Sequence, residues 1–96
     1  MGPITVNNMA ILINNRNVYR ELYLLESQAE QLLIDYSQGL GNNISKEEVA
    51  QLIESTDELI NLVEPYQMVS NDYRFNALKD KAQRLYRYKK CAEGFC

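Results

Sequence analysis

The sequence predicts an all-α protein, a small antiparallel three-helix bundle with a short N-terminal arm, and three observations carry that prediction. Val18, Leu22, Leu25, Ala29, Leu32 and Tyr36 recur at alternating spacings of four and three, the seam of a helix packed against another helix. Ser45-Lys46-Glu47-Glu48 has the form of a capping box opening a second helix, with Ser45 as cap, Glu48 reaching back to it, and Ile44 and Val49 as a hydrophobic staple. Pro65 stops that helix, and Ser70, Asn71 and Asp72 each offer a cap for a third. The composition agrees: 96 residues with 46% hydrophobic and 24% charged content suit one folded domain spanning residues 1–96 and one modest core.

Taken in order, residues 1–8 read as a flexible arm, with Met1-Gly2-Pro3 as a remnant of a cloning or protease site and Ile4-Thr5-Val6 alternating as an extended segment does. The first helix has two candidate starts. It begins near residue 9, with Asn7-Asn8 as cap and Asn15 as a polar interruption of the seam, or near residue 17, leaving Met9 to Ile13 as an apolar arm. Both readings require that apolar run to be buried against something. The helix ends at about residue 38, where Gly39-Leu40-Gly41-Asn42-Asn43 supplies residues tolerant of left-handed backbone.

The second helix runs over about 46–64, with Val49, Leu52, Ile53, Thr56, Leu59, Ile60 and Val63 as its core face. The segment Pro65 to Val69 is short and apolar, and it stays packed. The third helix covers about 72–93, closes at Gly94, and buries Phe75, Leu78, Ala82 and Leu85 with Tyr86 at the edge. Seven tyrosines without a tryptophan suit bundle edges, where the ring is covered and the hydroxyl reaches water.

Charge is distributed unevenly along the chain. Residues 1–71 carry ten acids against Arg16, Arg20 and Lys46, a balance of −7; residues 72–96 carry seven bases against three acids, a balance of +4; together they give the formal −3. Arg84, Tyr86, Arg87, Tyr88, Lys89 and Lys90 interleave cations with aromatic rings, a composition that neutralises phosphates and stacks bases. At about 100° per residue these cations point almost all round the helix rather than along one stripe. A basic third helix beside two acidic ones also gains from attraction between helices, and its cations complement the helix dipole.

Catalysis finds little support. The chain has no histidine, so the commonest general base and transition-metal ligand are missing. Glu26 with Glu30 and Glu54 with Glu58 lie one turn apart, but on faces expected to be hydrated. Gly39-Leu40-Gly41 lacks the lysine and preceding strand of a phosphate loop. No cofactor, metal or small-molecule substrate is expected. Cys91 and Cys96 read as two unpaired thiols near the end of the chain, in a reduced, cytoplasmic protein. The longest apolar run, Met9 to Ile13, is far short of the roughly 20 residues that span a bilayer.

The functional expectation is a non-enzymatic module that binds another protein, or a second copy of itself, as a small adaptor, assembly chaperone or inhibitor. Tyr19, Tyr23, Leu24 and Leu33 lie beyond the seam of the first helix and form the candidate interface. One alternative is nucleic-acid binding through the basic third helix. Another is that the acidic surface of Glu47, Glu48, Glu54, Asp57 and Glu58 occupies a basic site on a nucleic-acid-binding protein and inhibits it.

Overall fold

The chain enters the bundle through a hairpin, in a computed structural model that describes residues 11–94. Strands β1 (Leu12–Ile13) and β2 (Arg16–Asn17) pair antiparallel, with Leu12 opposite Asn17 and Ile13 opposite Arg16. Asn14 and Asn15 make the two-residue turn with φ of 53° and 64°. Both are left-handed, the backbone whose twist matches that of a tight hairpin, and asparagine tolerates it better than other residues with a side chain. Strand alternation then buries Ile13 and leaves Leu12 in solvent.

Helix α1 (Val18–Ser37) therefore starts at the later of the two expected positions, capped by Asn17, whose side-chain oxygen accepts from the Arg20 N–H at 3.2 Å. Asn15 belongs to the turn and interrupts no helical seam. Of the apolar run expected to be buried, Ile13 joins Val18, Leu22, Val63 and Phe75 in the core with Ile11 beside them, whereas Leu12 is exposed because strand alternation turns it outward. The expected arm, cap and cloning remnant over residues 1–10 lie outside the described residues, as does Cys96.

Beyond α1, Gly39 turns the chain with φ of +80°, and one turn of 3-10 helix (Gly41–Asn43) follows. A Cβ on Gly41 would meet the Tyr36 ring at 2.7 Å, so only glycine lets this loop lie against that ring. Helix α2 (Lys46–Val63) opens on Ser45, whose Oγ accepts from the N–H groups of Glu47 at 3.1 Å and Glu48 at 3.4 Å. The carboxylate that meets Ser45 is that of Glu47, which accepts from the hydroxyl at 3.0 Å, and not the expected Glu48. A hydrogen bond from its own backbone N–H, and after it the one from the Ser45 hydroxyl, hold the Glu47 carboxyl below its ordinary pKa. Ile44 packs beside Val49, as a staple requires.

Pro65 ends α2 as expected, but the connection contains a further short helix, α3 (Gln67–Ser70). It is packed only in part: Val69 is buried while Met68 is 94% exposed. Helix α4 (Tyr73–Ala92) begins at Asp72 and closes before Gly94, whose φ is +92°. Each long helix touches the other two. The core has two parts. One lies at the hairpin end, around Val18, Leu59, Phe75 and Leu78; the other lies toward the Gly39 loop, around Ala29, Leu33, Val49, Leu52 and Leu85; Leu25 packs on both. Cys91 is disulfide-bonded, which corrects the expectation of an unpaired thiol at that position.

The start of α4 is tied to the start of α1. Asp72 accepts from the Arg74 N–H at 3.0 Å and pairs with its guanidinium at 2.6 Å, while Arg74 lies 4.8 Å above the Tyr19 ring and that ring contacts Phe75 with centroids 5.9 Å apart. The Arg74 bonds, with help from Tyr19, hold the Asp72 carboxyl at about 2. The depressed value means that this contribution is present above about pH 4, the unfolded value, and is lost as pH falls toward 2. It amounts to about 1–2 kcal/mol, reduced because Arg74 is 38% exposed. Asp72→Asn keeps the cap but not the titration. Urea midpoints measured from pH 6 to pH 2 should fall further for the parent chain than for this variant, which starts lower and changes less.

Thr56 is the one buried polar residue of the described core, and its hydroxyl has no hydrogen-bond partner. Replacing an unsatisfied buried hydroxyl by a methyl of the same shape removes a desolvation cost. Thr56→Val should therefore raise the unfolding free energy by about 1 kcal/mol in urea titration; a loss of stability would show that the hydroxyl is satisfied in solution.

Candidate functional site

The outward side of α1 divides the four candidate interface residues into two pairs. Leu33 is buried with Leu32 and Leu85, and Tyr19 is half-buried against Phe75 and Arg74. Both belong to the fold rather than to a free surface, because α4 lies along that flank of α1 and widens the buried stripe beyond the seam. Burial and the nearby Asp72 carboxylate push the Tyr19 hydroxyl above its ordinary pKa. Tyr23 and Leu24 remain 68% and 52% exposed. Ile34 is also exposed, in line with Tyr23 and Ser27 at helical spacing.

The basic residues of α4 are partly committed. Lys89 pairs with Glu93 at 2.9 Å and lowers that carboxyl's pKa, Lys90 lies 5.4 Å over the Tyr86 ring, and Arg84 stands 3.8 Å from Asp80. Tyr88 is stacked on Tyr36 with ring centroids 4.7 Å apart and planes within 1°, so one of its faces is already covered. Burial raises the Tyr36 pKa. Arg84, Arg87, Tyr88 and Cys91 line a shallow depression of about 280 Å³ on the outer side of the helix. The expected attraction between helices appears as an ion pair where Lys81 Nζ lies 3.3 Å from Glu26 and 3.4 Å from Glu30, joining α4 to α1.

The five candidate acidic residues of α2 are all exposed, and Glu47, Glu54 and Glu58 fall along one side of the helix at spacings of seven and four. Glu47 is engaged at the helix cap, and Glu58 faces the hairpin closely enough to raise the Arg16 pKa, an effect due mainly to the bond between Arg16 and Glu21. Glu54 and Asp57 line the groove between α2 and α4. That groove was not anticipated. One part of it, about 430 Å³, has Ile53, Ile60 and Ala82 as apolar lining, with Lys79, Tyr86 and Arg87 on the α4 side. The signal for it lay in α4: opposite the apolar Ile53 and Ile60, the sequence places Lys79, Gln83 and Arg87, which do not close over an apolar surface.

None of these surfaces carries a nucleophile beside a base, and among the described residues no three metal-ligating side chains cluster. No described helix is long and apolar enough to cross a membrane. Comparison with known proteins finds no matching family model, no similar curated protein and no similar solved structure.

Proposed function

We propose that the chain is a small non-enzymatic protein-binding module, of adaptor, assembly-chaperone or inhibitor type, and that the outward face of α1 is a docking surface. One observation carries the reading. Every large apolar residue of α1 is at least partly covered by the bundle except Tyr23, Leu24 and Ile34, and these share its outward side. Covering a leucine is worth about 1.5–3 kcal/mol, and tyrosine is among the residues that most often anchor interfaces. A second copy of the chain is one partner this face admits.

The lack of histidine in the sequence supports a binding role over catalysis. Nucleic-acid binding through α4 is the weaker reading, since Arg84, Lys89 and Tyr88 already have partners within the fold. A bonded Cys91 suits an oxidising compartment, so it removes the ground, unpaired cysteines, for the expected cytoplasmic location.

The test is affinity capture of the tagged protein from host lysate, with and without nuclease, using the parent chain and Y23S/L24S. A protein retained at near-equal amount despite nuclease, and lost from the variant while its helical circular dichroism is unchanged, is the expected result. Capture that collapses with nuclease and persists in the variant would transfer the function to α4.

A further inference from the structure

The side of the bundle away from α1 carries a second surface, whose argument is independent of Tyr23 and Leu24. Three depressions adjoin along the seam between α2 and α4, of about 430, 310 and 190 Å³. The first two share Ile53, Asp57 and Tyr86, and the first and third share Ile60 and Lys79, so they form one continuous groove. Thr56 lines the first of them, where a small side chain stands at a core position.

The two lips of this groove bear opposite charge. Glu54, Asp57 and Glu64 belong to α2, and Lys79 and Arg87 belong to α4. Among the described residues these five make no ion pair with one another, whereas Lys81 on the other flank of α4 closes directly onto Glu26 and Glu30 of α1. Opposite charges are thus joined across one seam of α4 and held apart across the other. Apolar Ile53 and Ile60 lie between the separated lips, seven residues and about two turns apart.

We propose that this groove docks a single amphipathic helix of a partner protein, with a basic flank along Glu54, Asp57 and Glu64 and an acidic flank along Lys79 and Arg87. Shape and charge select this occupant. A convex helix fills a trough between two helices and completes a four-helix arrangement, with its own apolar residues at spacings of three, four and seven over Ile53 and Ile60. Two copies placed groove to groove would meet only at their lips. A second copy's α1 ridge offers Tyr23 and Ile34 but only Arg20 as a basic flank, and a head-to-tail contact of that kind generates open chains rather than a closed assembly. With the α1 face on the other side, the module would have two separate docking surfaces.

Two synthetic helical peptides of about 18 residues, the length of α2, test the proposal by fluorescence anisotropy against the full chain. Both carry leucines at heptad spacing and the same numbers of Lys and Glu. One gathers Lys on one flank and Glu on the other; the second mixes them on both flanks. The segregated peptide should bind about tenfold tighter, the effect of several partly exposed charge pairs acting together. That advantage should disappear in K79E/R87E, whose changes lie on the exposed lip and leave circular dichroism unchanged. Y23S/L24S should bind the segregated peptide as the parent does, which separates this surface from the α1 face. Equal affinity for the two peptides, or no binding of either, would overturn the proposal. So would self-association in sedimentation that K79E/R87E abolishes, because the occupant would then be a second copy.

Discussion

The structure depends on α4 lying against α1 and α2 at once. It does so with few apolar residues: Phe75, Leu78, Ala82 and Leu85 are its buried side chains, and most of the rest of the helix is charged or polar. Phe75 and Leu78 complete one half of the core and Leu85 the other, so the same narrow stripe must serve both neighbours. The shortage of apolar surface is made up by side chains that combine roles. Arg74 pairs with Asp72 while covering the Tyr19 ring, and Lys81 reaches two carboxylates of α1. All of these reinforcements face α1. On the side of α4 turned toward α2, Lys79 and Arg87 form no ion pair among the described residues, and the groove lies there.

This asymmetry also decides what the sequence reveals and what it conceals. The long helices were legible because each repeats apolar residues at helical spacing, and their ends because Ser45, Pro65, Asp72 and the glycines act locally. Two-residue strands have no periodicity to read, so the hairpin was hidden, although Asn14-Asn15 between Ile13 and Arg16 is the local signature of a tight turn. Position 33 adjoins the seam and could face core or solvent; only the placement of α4 buries it. Tyr19 is the same case, since its cover comes from residues more than fifty positions away.

The candidate surfaces were legible to different degrees. Exposure of Tyr23 and Leu24 follows from the seam alone, because they fall on the far side of a helix whose other face is committed. The groove has no such signature: Ile53 and Ile60 are indistinguishable in sequence from fully buried neighbours, and what leaves them half-covered is the polar character of the α4 residues opposite. Charge counts likewise described the whole molecule while missing its arrangement. The acids and bases that matter are sorted by which seam they flank.

The division of the core has a further consequence for how the bundle breathes. Among the described residues Leu25 alone packs on both clusters, and Thr56 sits in the interior without forming a polar bond to either side. The cluster near the hairpin draws on β1 and on all four α-helices, whereas the cluster toward the Gly39 loop receives a single buried residue, Leu85, from the last helix. Openings of the native state that release the C-terminal half of α4 therefore disrupt less apolar packing than openings anywhere near Phe75. One end of the bundle is thus the densely shared hub, and the other, closed by the stacked Tyr36 and Tyr88 rings, is the end with less apolar packing to lose.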